Sequence, residues 1–269
     1  MSLVEFDWLE LWRKLAGTFA QAKSGHQVSG HELRFRRKVR ERADPLLEFA
    51  MRNINNQSTL LDVGAGSGRW TIPAARIIKS VTAVEPSEAM LSMLRENITA
   101  ANLNNIRVLK AHWGQAIVEQ HDVVVSAHAI YTSQDFAAFV RKMEQYARER
   151  CYLALRLPLQ NGIIGELSLS INGHRHDSPN AIIAYNALYS MDIYANVLME
   201  DDIRCWVDST FEEAFARAKR HLHLESSASH DELIRDALNR RLTCLNNSYI
   251  WPDGMRSALL WWNPTIIHE

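Results

Sequence analysis

The stretch Thr59-Leu60-Leu61-Asp62-Val63-Gly64-Ala65-Gly66-Ser67-Gly68-Arg69-Trp70 constrains this chain more than any other. An apolar run of strand type ends at Asp62, glycines at 64, 66 and 68 turn the chain, and a helical pattern follows over 71–80. Gly64 and Gly66 admit a ligand against bare backbone, and the first turn of the helix offers unpaired N–H groups. A loop of this kind holds something against main chain. The dinucleotide fingerprint requires a further glycine at position 69, which is Arg69, so a nicotinamide cofactor is disfavoured. Downstream, Ser80-Val81-Thr82-Ala83-Val84-Glu85-Pro86 reads as a second strand that ends in a carboxylate, placed to accept from two ribose hydroxyls.

These residues resemble the class I S-adenosylmethionine (SAM) dependent methyltransferases. Leu61-Asp62-Val63-Gly64-Ala65-Gly66-Ser67-Gly68 is similar to the first motif of that family and Val84-Glu85-Pro86-Ser87-Glu88-Ala89-Met90-Leu91 to its second, in the same order and spacing. The resemblance covers roughly Asp44 to Pro158. It implies SAM as cofactor, bound by Gly64, Ala65, Gly66, Ser67, Trp70, Glu85, Pro86 and Met90, with His112, Trp113 and Ser126 completing the site. It also implies an α/β fold: a doubly wound, mostly parallel seven-stranded sheet with an antiparallel strand near one edge. N-terminal helices precede that sheet, and a helical insertion comes before its last strand.

Composition narrows the setting. A chain of 269 residues, 47% hydrophobic, is long enough for one large core with additions. A net charge of -1 supplies no global field for nucleic acid, so a polyanion would need a local patch. Three cysteines, Cys151, Cys205 and Cys244, are odd in number and widely spaced, which suits reduced thiols and a cytoplasmic protein. No run approaches the roughly 20 apolar residues of a membrane span, and Met1-Ser2-Leu3-Val4-Glu5 does not read as a signal peptide.

Taken in order, Val4, Trp8, Leu11, Trp12, Leu15 and Phe19 recur at helical spacing, so residues 1–43 read as an N-terminal helical segment that packs on the main domain or serves as a lid over the cofactor pocket. Arg34 to Arg42 is strongly basic, but Phe35 and Val39 form an apolar stripe with charge all round it, the pattern of a solvated helix rather than a nucleic-acid face. Residues 44–269 read as the methyltransferase-like domain. Asp44 caps a helix with Pro45 at its first position, and Ser87 caps another with Met90, Leu91, Leu94 and Ile98 inward. Ile106 to Ala111 is a third strand, His121 to His128 a fourth, Gln134 to Arg150 a helix, and Cys151 to Pro158 a fifth strand. Residues 160–248 carry substrate-side additions: an extended segment over 165–171, a helix opened by Ser178-Pro179, a strand over 195–199, and helices announced by capping boxes at Thr210 and Ser229. Tyr249 to Trp251, the turn Pro252-Asp253-Gly254 and Ala258 to Trp262 read as a hairpin whose second arm is the last strand.

A sulfonium methyl is already an electrophile, so transfer needs an aligned nucleophile and little else from the protein. If the acceptor must lose a proton, His128 is the nearest candidate base and Tyr131 the nearest hydrogen-bonding residue. Tyr185, Asn186, Tyr189 and Arg156 are placed to meet substrate. His112 stands where the resembling family carries the acidic residue that reads the adenine amino group, and Trp113 either stacks on the base or serves as core. The pairs His174/His176 and His221/His223 lack acidic or cysteine partners at ligand spacing, so no metal is expected. The expected activity is methyl transfer to a small-molecule acceptor. RNA or protein methylation through Arg34 to Arg42, or SAM binding without catalysis, are the alternatives.

Overall fold

The computed structural model of the chain describes residues 6–23, 44–52, 54–158, 162–173, 178–200, 205–252 and 255–265. The basic segment Arg34 to Arg42, the pair His174/His176 and the turn residues Asp253 and Gly254 lie outside these residues. The chain divides into two compact units. The first comprises residues up to Leu155, Pro179–Met199 and Ala258 onward, and the second comprises Arg156–Ser178 and Glu200–Ser257.

The first unit opens with helix α1 (Trp8–Lys23), whose Trp12 is wholly buried. Helix α2 (Pro45–Arg52) starts where Asp44 accepts the Leu47 amide at 3.2 Å, as the Asp-Pro pair predicts. Strand β1 (Thr59–Val63) leads through the glycine turn into a short helix, α3 (Thr71–Ala75), and then come β2 (Ser80–Val84), α4 (Glu88–Ala100), β3 (Ile106–Leu109) and β4 (His121–Ala127). Ser87 caps α4, whose Met90, Leu91 and Leu94 turn inward. Helix α5 (Phe136–Tyr146) is shorter than the pattern over 134–150 suggests. Strand β5 (Ala147–Arg156) takes over at Ala147, which pairs with His121 of β4. Sheet pairing overrides the helical reading of residues 147–150, in which Ala147 is buried while Arg148 and Glu149 face solvent.

The expected seven-stranded sheet is present, in the order β3-β2-β1-β4-β5-β10-β6, with β6 (Asn196–Met199) and β10 (Ser257–Trp262) as the later strands. Strands β1 to β5 are parallel, and β10 runs antiparallel to β6, one place in from the edge. Reversal between β2 and β4 makes the carboxyl end of β1 the switch point, where open α/β sheets place their ligands. Apolar side chains from β1, β2, β4 and β5 form one core with Leu46, Leu47, Ala50, Trp70 and Ile78.

Between β5 and β6 lie α6 (Ile163–Asn172) in the second unit and α7 (Ala181–Ser190) in the first. The extended reading of 165–171 is thus replaced by helix: Ile163, Ile164 and Leu167 are buried at helical spacing, and Gly173 closes the helix in the left-handed conformation. The second unit then adds β7 (Val207–Asp208), α8 (Phe211–Leu222), α9 (Asp231–Arg241), β8 (Thr243–Leu245) and β9 (Ser248–Ile250). Thr210 caps α8 as expected, accepting from Glu213 at 3.1 Å. The box at Ser229 does not form, because its hydroxyl pairs with Ser227 and His230 occupies the cap position. The hairpin expected between 249 and 262 is also replaced. Strand β9 pairs with β8 and β7 in a separate three-stranded sheet, and its turn is Asn246-Asn247, both at positive φ, the conformation a two-residue hairpin requires.

Candidate functional site

Two strand ends build the site. At the end of β1 the chain turns through Gly64, Gly66 and Gly68, all at positive φ. The turn is tied to β2, since the amides of Gly64 and Ala65 both donate to the Val84 carbonyl, at 2.8 and 3.1 Å. The three glycines serve different ends. A Cβ at Gly64 would fall on Cβ of Ala129, and one at Gly68 would come within 2.6 Å of Leu94, so these two allow the protein to close on itself. A Cβ at Gly66 would meet nothing within 4 Å, which makes it the glycine whose bare backbone faces open space. The reading of Gly64 as a ligand-facing glycine is corrected on this point: its missing side chain makes room for Ala129.

Glu85 ends β2 as a buried carboxylate and faces the same loop. Its Oε2 accepts the Gly66 amide at 2.9 Å and its Oε1 the Ser87 amide at 2.9 Å. Each oxygen has a further lone pair to offer a hydroxyl. Ala65 and Ser67 are buried within the loop, Pro86 is half-buried, and Met90 sits in the first turn of α4. The amide of Asn97 on α4 donates to the Ser67 carbonyl at 2.7 Å. A polar residue on the inward stripe of an amphipathic helix was the signal for this contact.

Behind the loop, Asp62 is fully buried and accepts the Thr71 hydroxyl at 2.6 Å. Burial first, and the nearby Glu85 charge after it, push its carboxyl up to about 6, against the opposing pull of the Thr71 hydrogen bond. Trp70 is not a wall of the site. Its indole belongs to the core and donates to Asp44 Oδ2 at 3.0 Å, and the same carboxylate holds Arg69 at 2.7 Å. Asp44 therefore fastens the far end of the glycine loop, a role the sequence reading gave only to a cap.

At the end of β3, Trp113 is buried beside Phe139 and Tyr146, and its Nε1 donates to the Phe139 carbonyl. Lys142 lies 4.8 Å over its ring. With its ring enclosed and its N–H used, Trp113 is core rather than a stacking face for adenine. Lys142 donates to the carbonyls of Trp113, Gly114 and Ala116 at 2.7, 3.0 and 2.8 Å, and so pins the loop that follows His112. Three carbonyls converging on one ammonium leave no trace in a linear pattern.

At the end of β4, Ser126 is buried and donates to the Val63 carbonyl at 3.1 Å, which joins β4 to the glycine turn and takes Ser126 out of the pocket lining. His128 adopts φ +57, held by its amide hydrogen bond to the Ala154 carbonyl at 2.9 Å. A left-handed histidine is a strained position. Its Nδ1 lies 2.9 Å from the hydroxyl of the buried Tyr131, with the rings stacked. The structure thus brings the candidate base and the candidate hydrogen-bonding residue into contact. Helix α1 packs on this segment: Trp12 Nε1 donates to the Ser133 carbonyl at 2.8 Å and its ring lies 4.7 Å from Phe136. Tyr185 and Tyr189 are exposed on α7. His221 stacks on Trp206 and His223 ends α8 at φ +58, and among the described residues no group of three or more His, Cys, Asp or Glu is placed to hold a metal ion.

Residues 60–150 match the family described as a methyltransferase domain. An uncharacterised protein of Haemophilus influenzae is 25% identical over 217 residues, which span 78% of each chain. Among solved structures, the YcgJ protein of Bacillus subtilis superposes with a TM-score of 0.55 at 14% identity, covering 81% of this chain and 97% of that one. Magnesium protoporphyrin IX methyltransferase of Synechocystis, solved with S-adenosylhomocysteine bound, gives a TM-score of 0.50 at 14% identity, covering 96% of this chain and all of the other.

Proposed function

We propose that the chain is a class I SAM-dependent methyltransferase that transfers the methyl group to a small-molecule acceptor by in-line displacement beside His128 and Tyr131, a reading supported by the methyltransferase-domain match over residues 60–150 and by the fold. SAM is the cofactor. The residues fit it: a glycine with open space before it, a buried carboxylate at the neighbouring strand end, and a second buried carboxylate behind. Gly66 and its neighbours would take the amino-acid portion against backbone, and Glu85 would accept from the ribose hydroxyls. Bound there, SAM supplies a methyl group that is already electrophilic, so the protein's share is alignment and exclusion of water.

His128 and Tyr131 act as a unit. In the tautomer that donates Nδ1–H to the Tyr131 oxygen, the basic lone pair is on Nε2, and Tyr131 fixes the ring. A histidine so held takes the proton an acceptor hydroxyl or amine must lose, and its strained backbone sets the angle. The observation that carries the small-molecule reading is α1. Its Trp12 is bonded to the segment that bears Tyr131, so a fixed helix rather than an open groove adjoins the reacting end.

Incubating the protein with methyl-labelled SAM and, separately, a small-metabolite extract, total RNA and denatured protein tests this. Label is expected in the small-molecule fraction alone. Label in RNA or protein would replace the acceptor class, and no label in any fraction would favour a SAM-binding protein without catalysis. With the acceptor in hand, His128→Gln is expected to lower kcat by about 10²-fold while SAM affinity stays near wild type.

A further inference from the structure

The amino ends of the same strands carry a second feature, on the opposite edge of the sheet from the glycine turn. A cleft of about 550 Å³ opens there, lined by the starts of β1, β2, β3 and β4 and by the residues before them. Its size is that of a pocket for a small organic ligand, for which about 300 to 1,000 Å³ is usual. Strand β1 separates it from the glycine turn by about 13 Å, at about 3.3 Å per residue.

The lining is cationic. It holds Lys79, Arg107 and Arg148 against a single carboxylate, Glu119. Arg148 is engaged by Asp122 at 3.1 Å, but among the described residues neither Lys79 nor Arg107 has an ion-pair partner. Arg107 and Thr82 are register partners on parallel strands, so both side chains leave the same face of the sheet, and Thr82 meets His121 Nε2 at 2.9 Å. The Nδ1 of His121 contacts the Glu119 carbonyl at 2.8 Å and must donate there, and burial holds its pKa down. Asn105 adds an unmet demand. Its Nδ2 donates to the carbonyls of Ala75, Ile78 and Lys79, which fixes the amide's orientation, and its buried Oδ1 has no hydrogen-bond partner.

We propose that this cleft is a binding site for a small phosphate ester, of the class of a nucleoside monophosphate. Lys79 and Arg107 take the phosphate as unpaired cations. The site is independent of the methyl-transfer reading, since it shares no residue with the glycine turn or with His128.

The full chain, saturated with S-adenosylhomocysteine so that its nucleoside site is filled, is titrated with uridine monophosphate by calorimetry, beside inorganic phosphate and a short single-stranded RNA. The expected result is binding of the monophosphate that weakens with added salt and exceeds that of inorganic phosphate. Lys79→Glu combined with Arg107→Glu, both on exposed side chains, should weaken it at least tenfold and leave S-adenosylhomocysteine affinity unchanged. No binding at millimolar concentration, or equal binding by the double variant, overturns the proposal. So does RNA that binds far more tightly than the monophosphate and loses affinity in the same variant, because the cleft is then part of a nucleic-acid track.

Discussion

Gly64 and Gly66 look alike in the motif and differ in what surrounds them. Gly64→Ala sets a methyl group on Ala129 at a backbone angle that disfavours any side chain, and is expected to destabilise the fold by about 2 to 5 kcal/mol in denaturant unfolding. Gly66→Ala carries only the backbone penalty of about 1 to 2 kcal/mol, and Gly66→Val, folded but with a branched side chain in the open space, is expected to abolish SAM binding in calorimetry. Unchanged affinity in that variant would place the cofactor elsewhere. Asp62 gives a pH signature. Folding raises its carboxyl from 3.8 to about 6, so the neutral acid is the form the folded state favours. The stability it contributes, about 3 kcal/mol at most, is full below about pH 4 and lost as pH rises through about 6. Asp62→Asn should flatten the stability profile between those limits, and a variant that keeps the slope would assign it to another group. Chemistry at this scale was half legible: the motif named Glu85 and the glycines, but whether a glycine faces a ligand or a neighbouring methyl group depends on Ala129, more than sixty residues later.

Elements were read well where one period dominated and poorly where two competed. Strands β1, β2 and β4 have apolar runs buried on both faces, and their ends lie within a residue or two of expectation. Residues 147–150 went to the sheet although their sequence continues a helical pattern, because pairing with β4 supplies hydrogen bonds that an isolated turn of helix lacks. Segment 163–172 went the other way, since Ile163, Ile164 and Leu167 share one face with α8 and α9 to bury against. Caps were a mixed local signal: those at Asp44, Ser87 and Thr210 form, the box at Ser229 does not, and α7 is opened not by Ser178-Pro179 but by Asn180, which accepts from both Ile182 and Ile183, so Asn180→Ala is expected to cost about 1 kcal/mol. Lys142 is the element-scale contact with no sequence signature. Lys142→Met keeps the stem over Trp113 and removes three hydrogen bonds, so hydrogen exchange should quicken over 113–116 and SAM affinity fall while the sheet amides keep their protection.

For the molecule as a whole, a ligand held by the native state alone stabilises it by mass action. SAM at a hundred times its dissociation constant should therefore add about 2.7 kcal/mol to unfolding, and Gly66→Val should erase that gain. No helix among the described residues is long and apolar enough to cross a membrane, and the cysteines among them are unpaired. By itself the sequence determined the parallel sheet, the glycine turn at its switch point and the carboxylate that faces it, because each is written in local periodicity or in a contiguous motif. Tertiary structure alone decided that Trp70 and Trp113 are core, that Ser126 fastens rather than lines, that His128 and Tyr131 meet, and that unpaired cations gather at the opposite edge. Those outcomes depend on which distant backbone each side chain meets, and a linear pattern carries distances along the chain but not across it.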